Sequence, residues 1–380
     1  MTIENHYSPT EIAQHIAQEV IAPLAAKIDR EQRFPSEAFD ALGKSGLLGL
    51  LVPKEFGGLG GSLSDLSAVT QVMGQACGST SMCFLMHSVA TMVIASRAQT
   101  AQQQEYLRSI AQGEKIGTLA FSERGTGAHF YSPEITANFQ GDHIVLNGKK
   151  SFVTNGDHAD FLVVVTNASS PDIGLDMLLV ETASPGVQFT GSWDGIGLRG
   201  NNSIAVEFTD VKVPLHHVIG KEGDGLDLIF QVVAPTFILG IAGMNVGLAK
   251  GAYHAALDHA KARKYADGRA LCEIQAIQFY LAEMHGSVES ASLFVQNAAR
   301  AADAGEEAAI LSVMQSKIQA SEQAIKVTNL AMQVCGGQGY TSALPVERYL
   351  RDARAGAVMA PTTEVLKEWV GKSVADLPLF

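Results

Sequence analysis

Gly195-Ile196-Gly197-Leu198-Arg199-Gly200 has the GxGxxG spacing with which a glycine-rich turn can cradle a dinucleotide diphosphate. That chemistry needs a strand before the glycines and a helix opening at them, and here a β-prone run, IAVEFTDVKVP, follows instead. Gly57 to Gly61 lacks the GK[ST] ending of a phosphate loop and reads as a turn. His216 and His217 are adjacent, so on a strand or helix their side chains point apart and do not form a metal pair. Cys77, Cys83, Cys272 and Cys335 show no CxxC or CxxC…HxxxH spacing, so neither a zinc site nor a disulfide framework is expected. A GxSxG elbow for serine hydrolysis is absent, and no lysine stands in a Schiff-base motif. Spacing alone names no reaction.

Any catalytic groups must therefore be sought through the elements that carry them. The 380 residues hold 27 Lys plus Arg against 39 Asp plus Glu, a net charge of −12, with 47% apolar and 17% charged residues. Such a chain has ample apolar material for a core, and its acidic balance opposes binding to nucleic acid or an anionic membrane, which need a positive field. The first residues, MTIENHYSPTEIAQHIAQEV, lack the basic start and apolar run of a secretory signal. No run of about 18 residues is continuously apolar enough to suggest a membrane span, so a reduced, cytoplasmic protein is expected. The sequons Asn167-Ala168-Ser169 and Asn201-Asn202-Ser203 then read as chance matches.

The pattern predicts a three-part α+β multidomain chain. Residues 1–115 read as a helical domain, with Ile12, Ile16, Val20 and Ile21 on one stripe and SMCFLMHSVATMVIASRA apolar enough for a buried helix. Residues 116–218 read as mostly antiparallel β, with Ile204, Val206 and Phe208 at period two and Asn147-Gly148 predicted as a hairpin turn. Residues 219–380 return to helical spacing, Ile277, Leu281, Met284 and Val288 marking one face of a bundle. Helix, then β, then helix, without βαβ alternation, argues against a doubly wound fold.

Seven local sequences in order, RFPSEAFDALGKSGLLGLLVPKEFGGLGGS, GTLAFSERGTG, LNGKKSFVTNGDHADFLVVV, GIGLRGNNSIAVEFTDVKVP, EIQAIQFYLAEM, QVCGGQGY and ERYLRDARAG, resemble the acyl-CoA dehydrogenase superfamily of flavoproteins over nearly the whole chain. The resemblance implies a helical amino-terminal domain, a central β-barrel and a carboxy-terminal helical bundle with FAD between them, in a homodimer or homotetramer. It implies oxidation of the CH–CH group of an acyl thioester, with an electron-transfer flavoprotein as redox partner. Phe121 and Ser122, and Phe152 and Thr154, match positions that contact the flavin ring; Ala128 stands where the family has a serine that ends the AFSE motif. Lys264 (or Arg263), Gln275, Gln333, Gly336 and Gly337 match the adenine and diphosphate end, partly supplied by a neighbouring subunit, and Thr362 and Glu364 match residues reaching the cofactor from the last helices.

The pattern also breaks. The resemblance puts the usual proton-removing glutamate at Ala360, followed by Pro361, and a second lineage's glutamate at Ile238. Ala128, His129 and Arg124 replace a serine, an aspartate and a proline, and the aspartate and arginine directed at CoA give way to apolar or neutral residues around Thr236 to Leu239. His87, His129, Tyr131 and Glu123 lie in segments near the expected cavity and are candidates for the missing base, each set against a purely structural role. No catalytic residue is assigned. The expected activity is FAD-dependent dehydrogenation of an acyl thioester or related substrate. The alternatives are a flavin-dependent monooxygenase on the same scaffold and a flavin- or partner-binding homologue without catalysis.

Overall fold

The computed structural model describes residues 7–168 and 173–379. The start of the chain and Ser169 of the first sequon lie outside the described residues. Asn201, in the second sequon, is fully buried.

The amino-terminal helices are α1 (Pro9–Ile16), joined through a π-helical turn (Ala17–Ile21) to α2 (Ala22–Glu31), then α3 (Ser36–Lys44), α4 (Leu63–Ala76), α5 (Gly78–Ser96) and α6 (Ala101–Ala111). Three starts are written into the sequence as capping boxes: Ser8 with Glu11, Ser62 with Asp65, and Thr100 with Gln103. Each satisfies backbone N–H groups that the helix leaves unpaired, contributing about 1 kcal/mol.

Seven strands follow: β1 (Gly117–Ala120), β2 (Thr136–Gln140), β3 (His143–Val153), β4 (Phe161–Asn167), β5 (Leu175–Glu181), β6 (Val187–Thr190) and β7 (Ile204–Pro214). They form one sheet in the order β1-β4-β2-β3-β7-β6, with β5 added to β4, so the central barrel is an open half-barrel. Alternation along β4 explains its continuous apolar run. Phe161, Val163 and Val165 enter the large helical core, whereas Leu162 and Val164 enter a second core inside the sheet with Phe208 and Val180.

The Asn147-Gly148 hairpin expectation is corrected. The β2–β3 register pairs Gln140 with His143, so the turn is at Gly141-Asp142, and β3 runs straight through Asn147. Gly148 instead sits at a register shift between β3 and β7, at φ 141°, where a Cβ would come 2.9 Å from Ile135. The bulge uses the glycine that a turn was expected to use.

The remaining helices are α7 (Gly225–Leu228), α8 (Ala234–Ala262), α9 (Gln275–Asp303), α10 (Ala309–Gly339), α11 (Val346–Val358) and α12 (Thr363–Val374). Gly243 and Gly247 of α8 lie against the α4 backbone: a Cβ there would fall 2.3 Å from the Ser67 carbonyl and 2.2 Å from that of Gln71. Two stretches, Gly78–Ser96 and Gly225–Ala262, are long and apolar enough to pass as membrane spans, contrary to the expectation that none would. Their apolarity is used inside the molecule, since 83% and 61% of the respective windows are buried.

Candidate functional site

Between the sheet and the carboxy-terminal helices lies a cleft of about 720 Å³. The sheet wall starts where β1 ends. Phe121 and Ser122 are tied to β3 by the Ser151 N–H, which donates to the Ser122 carbonyl at 2.8 Å, and by Lys150 Nζ, which donates to the Phe121 carbonyl at 3.2 Å. Lys150 also meets Glu123 Oε1 at 2.6 Å, and both side chains are almost wholly buried. Burial pushes the Lys150 amine down to about 8, with the Glu123 charge opposing the shift. The Glu123 carboxylate is further occupied by the backbone N–H groups of Glu134 (2.6 Å) and Ile135 (3.4 Å). Its two oxygens thus serve Lys150 and two backbone amides, which makes it a structural clamp.

Phe152 sits at a second register shift, between Lys150 and Val153, and holds a left-handed φ of 54°. A bulky residue there is strained by about 1 kcal/mol or more, and such strain gathers at functional sites. The shift leaves the Phe152 ring 65% exposed at the cleft, edge-on to Trp193 with centroids 6.4 Å apart. Thr154 and Ser203 share a hydroxyl contact of 3.3 Å at the wall. Asn201, which also lines the cleft, has both amide atoms buried without a protein partner.

The opposite wall comes from the start of α8 and the end of α11: Val233, Ala234, Phe237, Ala355, Val358, Met359, Ala360 and Pro361. Lys317 of α10 lies behind it, fully buried, and its Nζ donates to the carbonyls of Met359 (3.0 Å) and Pro361 (2.6 Å), on either side of Ala360. Burial pushes its amine down to about 7, the more distant Glu364 acting the other way. Among the described residues lining the cleft, the titratable side chains are Glu123, Arg124, Arg351 and Arg354. Arginine does not deprotonate in this setting, and Glu123 is spent on Lys150 and two amides.

Of the residues singled out in the sequence, Phe121, Ser122, Phe152 and Thr154 line the cleft together with Ala360 and Glu123. The others do not. Ala128 is half-buried and His129 exposed in the segment that follows Glu123, where His129 and Tyr131 are ring neighbours at 5.8 Å. Lys264, Gln275, Gln333, Gly336 and Gly337 are exposed. They lie around the start of α9 and the end of α10, where Gly336 breaks the helix at φ 55°, ψ −140°. Thr362 caps α12 by accepting from the Val365 N–H, and Glu364 is exposed in its first turn. Ile238 is buried one residue past Phe237.

His87 is corrected from candidate base to structural residue. The Gly117 N–H donates to its Nδ1 (3.1 Å), so its Nε2 carries the proton donated to the Leu48 carbonyl (2.8 Å). That neutral tautomer has no free nitrogen, and burial pushes its pKa down to about 4. Glu123 is corrected likewise. Sequence reasoning missed Lys150, Lys317, Asn201 and Trp193. For Lys150 a signal existed: a lysine in a strand at a position that the alternation of its neighbours turns inward, downstream of an acidic residue.

Comparison with known proteins places the whole chain. The acyl-CoA dehydrogenase N-terminal, middle and C-terminal domain families match residues 4–114, 118–211 and 237–375. The short-chain specific acyl-CoA dehydrogenase of Clostridium acetobutylicum is 32% identical over 94% of this chain and 94% of its own. Among solved structures, butyryl-CoA dehydrogenase from Megasphaera elsdenii superposes with a TM-score of 0.91 at 26% identity, covering 97% of each chain. A chain from a study of the electron transferring flavoprotein of Acidaminococcus fermentans gives 0.92 at 28% identity, covering 96% of each.

Proposed function

Since this chain belongs to the acyl-CoA dehydrogenase family, we propose that the cleft holds FAD against its sheet wall and admits an acyl thioester or related substrate from the helical side. The protein is an FAD-dependent oxidoreductase of the acyl-CoA dehydrogenase type. The residues fit the cofactor: a cleft with an exposed aromatic face at Phe152, hydroxyls at Ser122 and Thr154, and the orphaned Asn201 amide suits a flat ring with a polar edge. When bound, FAD supplies the hydride acceptor. Phe121 and Phe152 position that ring, Ser122 and Thr154 offer donors to its polar edge, and Lys150 holds the Phe121–Glu123 segment in place.

Ala128 lies in the adjoining segment, and Thr362 and Glu364 lie at the start of α12, beside the cleft's Pro361. Lys264, Gln275, Gln333, Gly336 and Gly337, exposed and away from this cleft, are assigned to the adenine and diphosphate end of a neighbouring subunit's cofactor. That assignment requires a homodimer or homotetramer. An electron-transfer flavoprotein is the proposed redox partner, and a cytoplasmic location the proposed setting.

The chain is also proposed to lack the usual catalytic glutamate. The observation that carries this is the set of titratable groups on the cleft walls, in which, among the described residues, the one carboxylate is paired with Lys150 and accepts from two backbone amides. Dehydrogenation of a thioester would need a base on the walls for the substrate's α-proton, and among the described residues the walls offer no carboxylate for it beyond the Lys150-paired Glu123. This favours slow turnover of simple thioesters, and it gives the second reading, a flavin-dependent reaction with dioxygen, its specific support.

Anaerobic mixing of the yellow protein with a panel of acyl thioesters decides between them. Bleaching of the oxidised flavin supports the dehydrogenase. No bleaching across the panel, with incorporation of an oxygen atom into a substrate when reduced flavin meets air, supports the second reading.

A further inference from the structure

A second cavity, of about 780 Å³, lies between α2, the end of α4, the loop joining α10 to α11, and the first turns of α11, with Arg351 lining both it and the cleft. Four guanidinium groups line it, those of Arg30, Arg199, Arg348 and Arg351, against the two carboxylates of Asp29 and Glu347. Both carboxylates are taken by Arg351, which contacts Asp29 through two nitrogens (2.9 and 2.6 Å) and Glu347 through Nε (2.8 Å). Among the described residues, no carboxylate forms an ion pair with Arg30, Arg199 or Arg348. In a chain of net charge −12, this is a local excess of positive charge.

Arg348 is the telling member. It is only 8% exposed, and its Nε is buried with no hydrogen-bond partner. Its guanidinium carbon lies 5.6 Å from the Tyr349 ring centroid, and the Tyr349 hydroxyl is its polar neighbour. The carboxylate one turn on, Asp352, is near enough for its charge to act on Arg348 but makes no ion pair with it, and its Oδ1 accepts the Leu198 N–H at 2.7 Å. A guanidinium stays charged at any physiological pH, and leaving one of its buried N–H groups without an acceptor is costly unless a ligand completes it. The flat donor fork of arginine matches the oxygens of a phosphate. The cavity is far larger than an inorganic ion, so the ligand carries a body as well as a charge. At the rim Tyr340 is 84% exposed and presents a ring on which a flat group can stack.

We propose that this cavity binds a phosphate-bearing small molecule, with Arg348 as the buried anchor, Arg30 and Arg199 closing on the charge, and Tyr340 against the ligand's body. The cavity meets the cleft at Arg351, but none of Arg30, Arg199, Arg348 and Tyr340 lines the cleft. Calorimetric titration of the purified flavin-loaded protein with pyrophosphate, with ADP, and with succinate as a carboxylate arm tests it. Saturable binding of pyrophosphate and ADP is expected, weakened about tenfold or more in R348Q, with flavin absorbance and the thermal midpoint of the variant retained. Should R348Q not fold, the rim double variant R30Q/R199Q is expected to weaken binding about threefold or more.

No saturable binding of either phosphate to the wild type would overturn the proposal, as would equal affinity in wild type and folded variants. Succinate binding as tightly as pyrophosphate would overturn the phosphate assignment. Release of flavin in step with the titration would also overturn it, by placing the anion on the cofactor's own diphosphate contacts.

Discussion

The two walls of the cleft are built on opposite principles. The sheet wall is dense in specified polar contacts: a buried Lys150–Glu123 pair, the Ser151–Ser122 bond, paired hydroxyls at Thr154 and Ser203, and a strained Phe152 held at a bulge. Among the described residues the helical wall offers the cleft apolar side chains and the arginines Arg351 and Arg354 but no carboxylate, and it keeps further polar support behind, in the Lys317 bonds to the Met359 and Pro361 carbonyls. The contrast teaches that holding a redox ring and moving a substrate proton are separable tasks. On the proposed reading the first task falls to the sheet wall, and the second has no carboxylate on the helical wall among the described residues.

The largest expected effect comes from breaking the sheet wall. Lys150→Met leaves the Glu123 carboxylate buried without its counter-charge and should cost about 3–5 kcal/mol of stability, read from denaturant unfolding together with loss of bound flavin. Full stability in that variant would show that the pair is incidental. Supplying the helical wall with what it lacks comes next. Ala360→Glu should speed anaerobic bleaching by thioester about 10²-fold or more, in stopped-flow absorbance; an unchanged rate would mean that proton removal is not what this wall is missing.

A smaller effect concerns the support behind that wall. The Lys317 amine titrates at about 7 in the folded protein, against an ordinary 10.5. Between those values the unfolded chain binds a proton that the folded one does not, so stability rises with pH across the window, by at most about 1.4 kcal/mol per pH unit. Below about pH 7 both forms are protonated and this dependence disappears. Lys150 shifts the same way, so the difference between wild type and Lys317→Met in melts at pH 7 and 9 isolates Lys317. The variant should lack that part of the rise and lose about 1–3 kcal/mol at pH 9, where its two carbonyls go unsatisfied. The smallest change is Thr154→Val, which removes one hydroxyl contact. It should alter unfolding by about 1 kcal/mol or less while lowering flavin retention, measured by absorbance ratio after dialysis.

The order of the three layers was legible because helical and strand periodicities differ plainly between residues such as Ile12, Ile16 and Val20 and residues such as Ile204, Val206 and Phe208. The wall proposed for the flavin was picked out only through motif order, since Ser122 or Thr154 alone gives no such signal. Asn147-Gly148 misled because a glycine tolerant of unusual φ serves a bulge as well as a turn, and local sequence does not say which register the partner strand imposes. His87 misled because its burial, and the two backbone groups that use both its nitrogens, come from Leu48 and Gly117, far apart in sequence. Lys317 was silent for the same reason: its partners are more than 40 residues away.

The backbone contact of Gly243 and Gly247 with α4 divides α8 into stretches with different evolutionary freedom. Where carbonyls already occupy the space of a side chain, even alanine is refused, so the middle of the helix is frozen. Its first turn, at Ala234 and Phe237, borders open volume and can be rewritten. New substrate shapes in descendants of this chain, natural or selected in the laboratory, should therefore be found by mutating the tip of α8 and not its waist.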